Sequence, residues 1–442
     1  MRAGSSWAIT AALAGFLFGF DTAVISGAEQ AVQREWAMSD AVHGLAISAA
    51  LWGTVIGALT GGWPSDRFGR KPTLIWIGVL YALSAIGSAL AWDPVSFMLF
   101  RLIGGLGVGA SSVAAPAYLA EIAPRDRRGG LVALFQTMIV LGILIAFASN
   151  FALGGIGNEA WRWMLGAEAL PAIAYLIATF FIPESPRWLL IHGQRRDEAL
   201  TILSRISPGN VKQVVEDIEA EAEREAKSIS WGQFFTRHYR RPALMAFAIA
   251  AFNQLSGINA IIYYAPRIFE LSGAGGSTAL LASVGIGAVN MVFTLAGLML
   301  IDRRGRKFLM YVGCAGYLVS LGMTAYGFAS DSLALVMPFI FAFIAAHAIG
   351  SGAVIWVYIS ETFPSSARAK GQSLGAGTHW VFAAVLTLVM PAVLANVSPV
   401  GIFVFFAAMM AVQLVWVRFV MIETRGRSLE EISANLLPAR ST

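Results

Sequence analysis

Two shortages set the class of this chain. Only 13% of its 442 residues are charged, against about 25% in soluble domains, and it holds a single cysteine, Cys314. The first shortage excludes a water-soluble globule: with 57% hydrophobic residues, most of the chain belongs in lipid. The second excludes a disulfide within the chain, and one thiol makes no metal site. No His/Cys ligand cluster and no nucleophile–base pair stands out, so no metal, no cofactor and no enzyme activity are expected. The polar groups set in apolar sequence are mostly amides, good for binding and poor for proton transfer. No cleaved leader is expected either. The first apolar run, Trp7 to about Ala28, is too long for a signal-peptide core, and no small-residue cleavage site follows it.

What is present is apolar length. A spanning helix needs about 20 apolar residues, and twelve stretches qualify. In the first half they are Trp7–Ala28, His43–Trp63, Pro72–Trp92, Pro94–Leu119, Gly130–Leu153 and Trp163–Ile182. In the second they are Pro242–Leu271, Ser277–Ile301, Phe308–Ala329, Leu333–Ser360, Gly371–Ala395 and Val400–Met421. The short loops alternate in charge. One set carries Arg67, Arg70 and Lys71, then Arg125, Arg127 and Arg128, then Arg303, Arg304, Arg306 and Lys307, then Arg368 and Lys370. The other carries little beyond Arg34 and Arg162. By the positive-inside rule the first set is cytoplasmic, and both termini with it. This distribution accounts for the net charge of +5, which is therefore no sign of nucleic-acid binding.

The chain is organised as 1–188, a first six-helix bundle; 189–241, an intracellular insert; 242–424, a second six-helix bundle; and 425–442, a cytoplasmic tail. Within the insert, Val211 to Lys227 combines helix formers with many acids. Val214, Val215 and Ile218 give it a narrow apolar stripe, so a few short helices are expected, with a plain linker as the competing reading. The two halves repeat each other. DRFGRK (Asp66 to Lys71) returns as DRRGRK (Asp302 to Lys307). EIAPRDRRG (from Glu121) returns as ETFPSSARAKG (from Glu361), with Glu121, Pro124 and Arg128 matching Glu361, Pro364 and Arg368 in offset. PESPR (from Pro183) returns as IETRGR (from Ile422). Two bundles in the same orientation imply a cavity near the midplane. The acids of these loops invite pairing with arginines of other loops. One reading is a latch between the bundles when the site faces outward; the other is that the charges only set topology. One exposed pair contributes about 0–1 kcal/mol, so only a network makes a useful latch.

One span does not read as an uninterrupted helix. NQLSGINAIIYYAP, Asn253 to Pro266, brings Asn253, Gln254 and Asn259 to bilayer depth. Gly257 and Pro266 weaken the helix, and Tyr263 and Tyr264 add hydroxyls. Polar, broken helix is tolerated in the bilayer only where it faces protein or a wet cavity. At helical spacing the amides and Tyr263 return to roughly one face. This describes a wall of a cavity for a small, hydroxyl-rich molecule; the alternative is amides that only join helices. Asp21, Arg101 and Glu168 lie in other spans. Intramembrane charges are expensive and functional by default, although structural pairing alone is a second reading. The run IGGLGVG (Gly104, Gly105, Gly107, Gly109) has the wrong context for a phosphate loop and reads as close helix packing.

DRFGRK, PAYLAEIAPRDRRG, PESPRWLL, QLSGINAIIYYAP and ETRGRSLEEI, in this order over nearly the whole chain, resemble the sugar porter family of the major facilitator superfamily. The chain is more similar to the bacterial proton–sugar symporters than to the facilitative glucose transporters. The resemblance implies an all-α membrane protein of twelve transmembrane helices in two bundles, and a functional monomer in a bacterial cytoplasmic membrane. It would move a monosaccharide, hexose or pentose, with a proton, by alternating access; the alternatives are a facilitative sugar uniporter without proton coupling and a transporter-like sugar sensor. By position it implies sugar binding by Gln136, Asn253, Gln254, Asn259, Tyr263, Gly352, Trp356 and His379, and proton coupling by Asp21 and Arg101, with Glu168 the next acid. It implies the latch role for Asp66, Arg67, Arg70, Glu121, Arg128, Glu184, Asp302, Arg303, Arg306, Glu361, Arg368 and Glu423. Departures bear on the detail. Asn253 stands for a usual glutamine, His379 for Gln or Asn, and Ile143 for a glutamine of some symporters, which leaves the sugar open. Ala369 stands for Gly. Ile422 replaces a proline, and the last span is expected to stop less sharply for it.

Overall fold

The computed structural model describes residues 3–124, 128–206, 209–225, 229–364, 366–427, 431–432 and 436. They are nearly all helical, with no strand among the described residues. Two compact units divide the chain: Met1–Ala37 with Leu45–Ala226, and Met38–Gly44 with Lys227–Thr442.

In the first half the helices are α1 (Ala3–Glu35), α2 (Asp40–Thr60), α3 (Gly62–Phe68), α4 (Arg70–Ala89), α5 (Pro94–Ile122) and α6 (Arg128–Leu153). Then come α7 (Ala160–Gly166), α8 (Ala169–Thr179), α9 (Pro186–Ile191), α10 (Arg196–Ile206) and α11 (Val211–Glu225). α1 packs along α6, and α4 along α5. Glycines make the close seams. A Cβ on Gly105 of α5 would meet the Ala50 carbonyl oxygen of α2, and one on Gly53 of α2 would meet Leu102 O of α5. The glycine run of α5 is thus a packing surface. Asp93 starts α5 by a reciprocal cap: its carboxylate accepts from Ser96 N at 2.7 Å, and Ser96 Oγ accepts from Asp93 N at 3.2 Å. That backbone N–H holds the Asp93 carboxyl below the usual carboxylate range.

The sixth expected span is delivered in two pieces, α7 and α8. Pro171 in α8 has no N–H to offer the Ala167 carbonyl, and its ring crowds that carbonyl. Around the junction Glu168 N and Leu170 N bond one residue short, to Leu165 O and Ala167 O, both at 3.4 Å. Eleven other helical stretches among the described residues are long and apolar enough to span. The insert is helical as its apolar stripe suggested. Val215 is buried, and α11 is held by Arg187–Glu221 at 2.6 Å and Arg196–Glu219 at 2.7 Å.

The second half contains α12 (Trp231–Phe234), a 3-10 turn at Arg237–Tyr239, α13 (Arg240–Leu255), α14 (Ile258–Tyr263), α15 (Ala265–Leu271) and α16 (Gly276–Arg304). It continues with α17 (Arg306–Ala329), α18 (Val336–Ile349), α19 (Ser351–Glu361), α20 (Arg368–Asn396) and α21 (Pro399–Phe419). α13 packs along α20, and α17 along α21 and α18. The seventh stretch breaks where the sequence suggested. Gly257 takes φ +89° between α13 and α14, with the Phe406 ring against its missing Cβ, a conformation and a space that only glycine suits. α21 stops cleanly at Phe419 despite Ile422, because Val420 N and Met421 N both close on Trp416 O.

The seam predicts opposite outcomes for two glycines. Gly105→Ala should lower the melting temperature in detergent, at an overpacking cost of about 1–3 kcal/mol. Gly130→Ala has nothing within 4 Å of the new methyl and should hold or raise it, since alanine is the better helix former. Equal melting of the two would contradict close packing at Gly105.

Candidate functional site

In the second unit the polar stretch forms one connected set. Gln254, in the last turn of α13, sits at its centre and is 1% exposed. Its Oε1 accepts from Asn259 Nδ2 at 2.9 Å. Its Nε2 donates to Asn253 Oδ1 at 3.1 Å and faces the His379 ring nitrogens of α20 at 3.1 and 3.3 Å. Asn253 Nδ2 donates to Ser351 Oγ at 2.8 Å. The helix break at Gly257 makes this possible, because Asn259 and Gln254 meet across a turn that is not α-helical. Trp356 of α19 stands beside His379, ring centroids 5.1 Å apart, and is 39% exposed. Gly352 abuts His347, whose carbonyl oxygen would lie 3.0 Å from an added Cβ. Tyr263 is 2% exposed, so it is packed rather than presented. Gln136 lies on α6 of the first unit and is half-buried; Ile143 on the same helix is buried.

The first unit holds a charged cluster. Arg101 Nη1 lies 2.6 Å from Asp21 Oδ1, and its Nη2 donates to the Asp21 carbonyl at 3.3 Å. Glu168, at the α7–α8 junction, interacts with both, and its Oε1 has no hydrogen-bond partner among the described residues. All three are 1% exposed. Two carboxylates therefore share one guanidinium, and the set is neutral only when one carboxyl carries a proton.

The repeated loops fold into matching networks. Arg70 Nε and Nη2 grip Glu121 at 3.0 and 2.9 Å; Arg306 Nε and Nη2 grip Glu361 at 3.1 and 2.8 Å. Glu184 accepts from Arg70 N and Lys71 N at 2.9 and 3.1 Å; Glu423 accepts from Arg306 N and Lys307 N, each at 3.0 Å. Gly69 (φ +109°) and Gly305 (φ +89°) let these carboxylates reach the helix starts. Burial raises the Glu184 carboxyl above the usual carboxylate range, while the N–H groups and Arg70 pull it down. Asp66 and Asp302 pair with Arg70 and Arg306 at 2.9 and 3.2 Å. Each of these bonds lies inside one unit, where the sequence suggested pairing from bundle to bundle. The cause is the bidentate fit of each arginine to an acid of its own half. Arg67 and Arg303 are exposed and Arg368 is half-buried at the start of α20; the Arg128 side chain lies outside the described residues.

The family model for sugar (and other) transporters matches residues 7–436. The chain belongs to the sugar transporter family. The D-xylose transporter of Levilactobacillus brevis is 34% identical over 432 residues, 96% of this chain and 94% of that protein. The arabinose-proton symporter of Bacillus subtilis (strain 168) is 35% identical over 432 residues, 96% of this chain and 92% of its own length. Among solved structures, the inward-open conformation of the xylose transporter XylE from E. coli superposes with TM-score 0.88 at 28% identity, covering 98% of this chain and 100% of that one. This member of the sugar transporter family is a multi-pass membrane transporter with the major facilitator fold, not an enzyme.

Sequence reasoning missed His347 and Tyr317. The Tyr317 hydroxyl lies 2.7 Å from His347 Nδ1, and Ser351 and Ser256 lie next to that hydroxyl. They extend the amide set of this sugar transporter family member into α17 and α18. The available signal was a histidine alone in the apolar run IAAHAIG, which is as unusual in a span as an acid.

The loop networks predict strong coupling. Arg70→Gln takes the guanidinium from both largely buried oxygens of Glu121 and from the Ser65 carbonyl and should cost about 3–5 kcal/mol of stability. Arg70→Gln with Glu121→Gln should cost less than Arg70→Gln alone. Thermal unfolding of both variants checks this; a double variant as unstable as the sum of the singles would show that the pair is not coupled.

Proposed function

We propose that this chain is a proton-coupled monosaccharide symporter of a bacterial cytoplasmic membrane, acting as a monomer by alternating access, with both termini cytoplasmic. Its relatives are named for xylose, arabinose and glucose, so the substrate class is a monosaccharide, pentose or hexose. The observation that carries the coupling is the cluster of Asp21, Arg101 and Glu168. Fully ionised, it holds one uncompensated charge at bilayer depth, which is costly. A proton taken by Asp21 neutralises the set and weakens its 2.6 Å contact with Arg101. Arg101 then turns its charge to Glu168. The tie between α1 and α5 loosens, and the carrier is free to change its facing.

Sugar recognition falls to the amide set. Each amide offers donors and an acceptor together, so a sugar hydroxyl can replace an amide–amide bond without leaving a group unsatisfied. Gln254, Asn253, Asn259 and His379 supply these contacts, and Gln136 on α6 is a further amide for a sugar hydroxyl. Trp356 covers the apolar face of the ring, Gly352 leaves room beside it, and Tyr263 backs the wall. Asp66, Arg70, Glu121 and Glu184 and their counterparts Asp302, Arg306, Glu361 and Glu423 hold the helix ends, and with Arg67, Arg128, Arg303 and Arg368 they make the cytoplasmic gate of the cycling carrier.

Two variants in proteoliposomes test this reading. Gln254→Ala should bind sugar roughly tenfold or more weakly, from the loss of one or two hydrogen bonds of about 1 kcal/mol each, and should also lower the melting temperature, because Asn253, Asn259 and His379 lose a buried partner. Asp21→Asn, fixed in the neutral form, should still exchange labelled for unlabelled sugar but fail to accumulate it on an imposed proton gradient. Uphill uptake by Asp21→Asn would move the coupling role to Glu168. A wild type with no uphill uptake would make the protein a facilitator.

A further inference from the structure

One buried hydroxyl beside the charged cluster stands apart from its neighbours. Ser84 of α4 is buried, and its Oγ makes no hydrogen bond among the described residues. Other buried hydroxyls of these helices donate to a carbonyl one turn back: Ser26 to Ala23 O at 2.8 Å, Thr54 to Ala50 O at 2.9 Å and Ser111 to Val108 O at 2.8 Å. A buried polar group left unanswered is costly and calls for a reason. Gly104 of α5 shows what Ser84 faces. A Cβ there would collide with Ser84 Oγ and lie 3.4 Å from Asp21 Oδ1. That carboxylate oxygen is the one Arg101 Nη1 holds at 2.6 Å.

We propose that Ser84 is the hydrogen-bond acceptor for the protonated Asp21 carboxyl, and so a positioning residue for proton coupling; this rests on Asp21 being the coupling acid. While Asp21 is ionised, Arg101 holds its Oδ1 and Ser84 is not used. A protonated carboxyl carries an O–H that needs an acceptor. Glu168 no longer serves once Arg101 has turned to it, and the Tyr81 hydroxyl already shares a hydrogen bond with Ser111 at 3.2 Å. Ser84 Oγ accepts from Asp21, while its own hydrogen turns to the α4 carbonyl one turn back. The ionisable groups that bear on this pair are Arg101 of α5, Glu168 at the α7–α8 junction and Tyr81 of α4, with Tyr175 of α8 next to Tyr81. The rest stand further off. Glu29 is about two turns on along α1, α6 has no ionisable side chain after Arg128, and Arg162 of α7 binds Ala89 O and Ala91 O at the end of α4. α10 meets α1 near Trp7, about four turns away. The charges at the other end of α4 and α5 belong to the loop networks.

Uphill sugar uptake in proteoliposomes is measured against external pH. Ser84→Ala removes the acceptor, so the neutral carboxyl forms less readily. The proton concentration for half-maximal uptake should rise about fivefold, which places the midpoint about 0.7 pH unit lower, as for the loss of one hydrogen bond. Lowering the pH further should restore the wild-type maximal rate. A residue that only packs would lower the maximal rate at every pH and leave the midpoint in place. Ser84→Thr, which keeps the hydroxyl, should keep the midpoint. Should Ser84→Ala not fold, Ser84→Cys, whose sulfur is a weaker acceptor, should move the midpoint the same way by less. An unchanged midpoint in Ser84→Ala, beside a wild type whose uptake follows pH, overturns the proposal and leaves Asp21 as the coupling acid. An equal shift in Ser84→Thr also overturns it. A midpoint moved by Tyr175→Phe and not by Ser84→Ala would give the acceptor role to α8 and overturn it as well. A wild type with no uphill uptake at any pH would remove the coupling itself, and this proposal with it.

Discussion

A polar group inside the hydrocarbon of a membrane has to find its partner in the protein, because no water is there to supply one. Every functional feature of this chain follows from how that demand is met. Arg101 meets it with Asp21 at 2.6 Å, and the chain then adds Glu168, which leaves the cluster one proton short of neutrality. The amides of Asn253, Gln254 and Asn259 meet it with each other, with Ser351 and with His379. On the proposed reading, the first solution stores an exchangeable proton. On the same reading, the second stores hydrogen bonds that a hydroxyl-rich molecule takes over one for one.

The two halves solve a second problem in the same way. A helix start at the membrane boundary leaves N–H groups unpaired, and Glu184 and Glu423 answer them at the starts of α4 and α17. One difference between the halves is instructive. Pro183 has only a carbonyl to offer, and the Tyr118 hydroxyl donates to it at 2.9 Å. Ile422 has an N–H, and it donates to the Tyr358 hydroxyl at 3.2 Å. The same tyrosine position keeps its partner by exchanging donor for acceptor.

Much of this was legible in the sequence, for physical reasons. Apolar length and the Arg-rich loops report the solvent directly, so spans and repeats could be read. The break at Gly257 was visible because glycine, proline and amides in hydrocarbon are each costly. The break at Glu168 was not anticipated, although Pro171 marks it, because the composition around it is apolar enough for one span. The pairing of Arg70 with Glu121 could be guessed only as charge near charge. Which loops meet depends on helix packing, and packing placed the partners in the same half. His347 escaped notice because a single histidine has no periodicity; only Tyr317, thirty positions away, makes sense of it.

The central claim is that one proton, shared by two carboxylates around Arg101, accompanies each sugar. Its most direct test is the ratio of initial proton to sugar fluxes through the purified wild-type protein in proteoliposomes, with the membrane potential clamped. A shared proton predicts one proton per sugar. A ratio of zero would contradict coupling through the cluster, and a ratio of two would show that Asp21 and Glu168 titrate as independent sites.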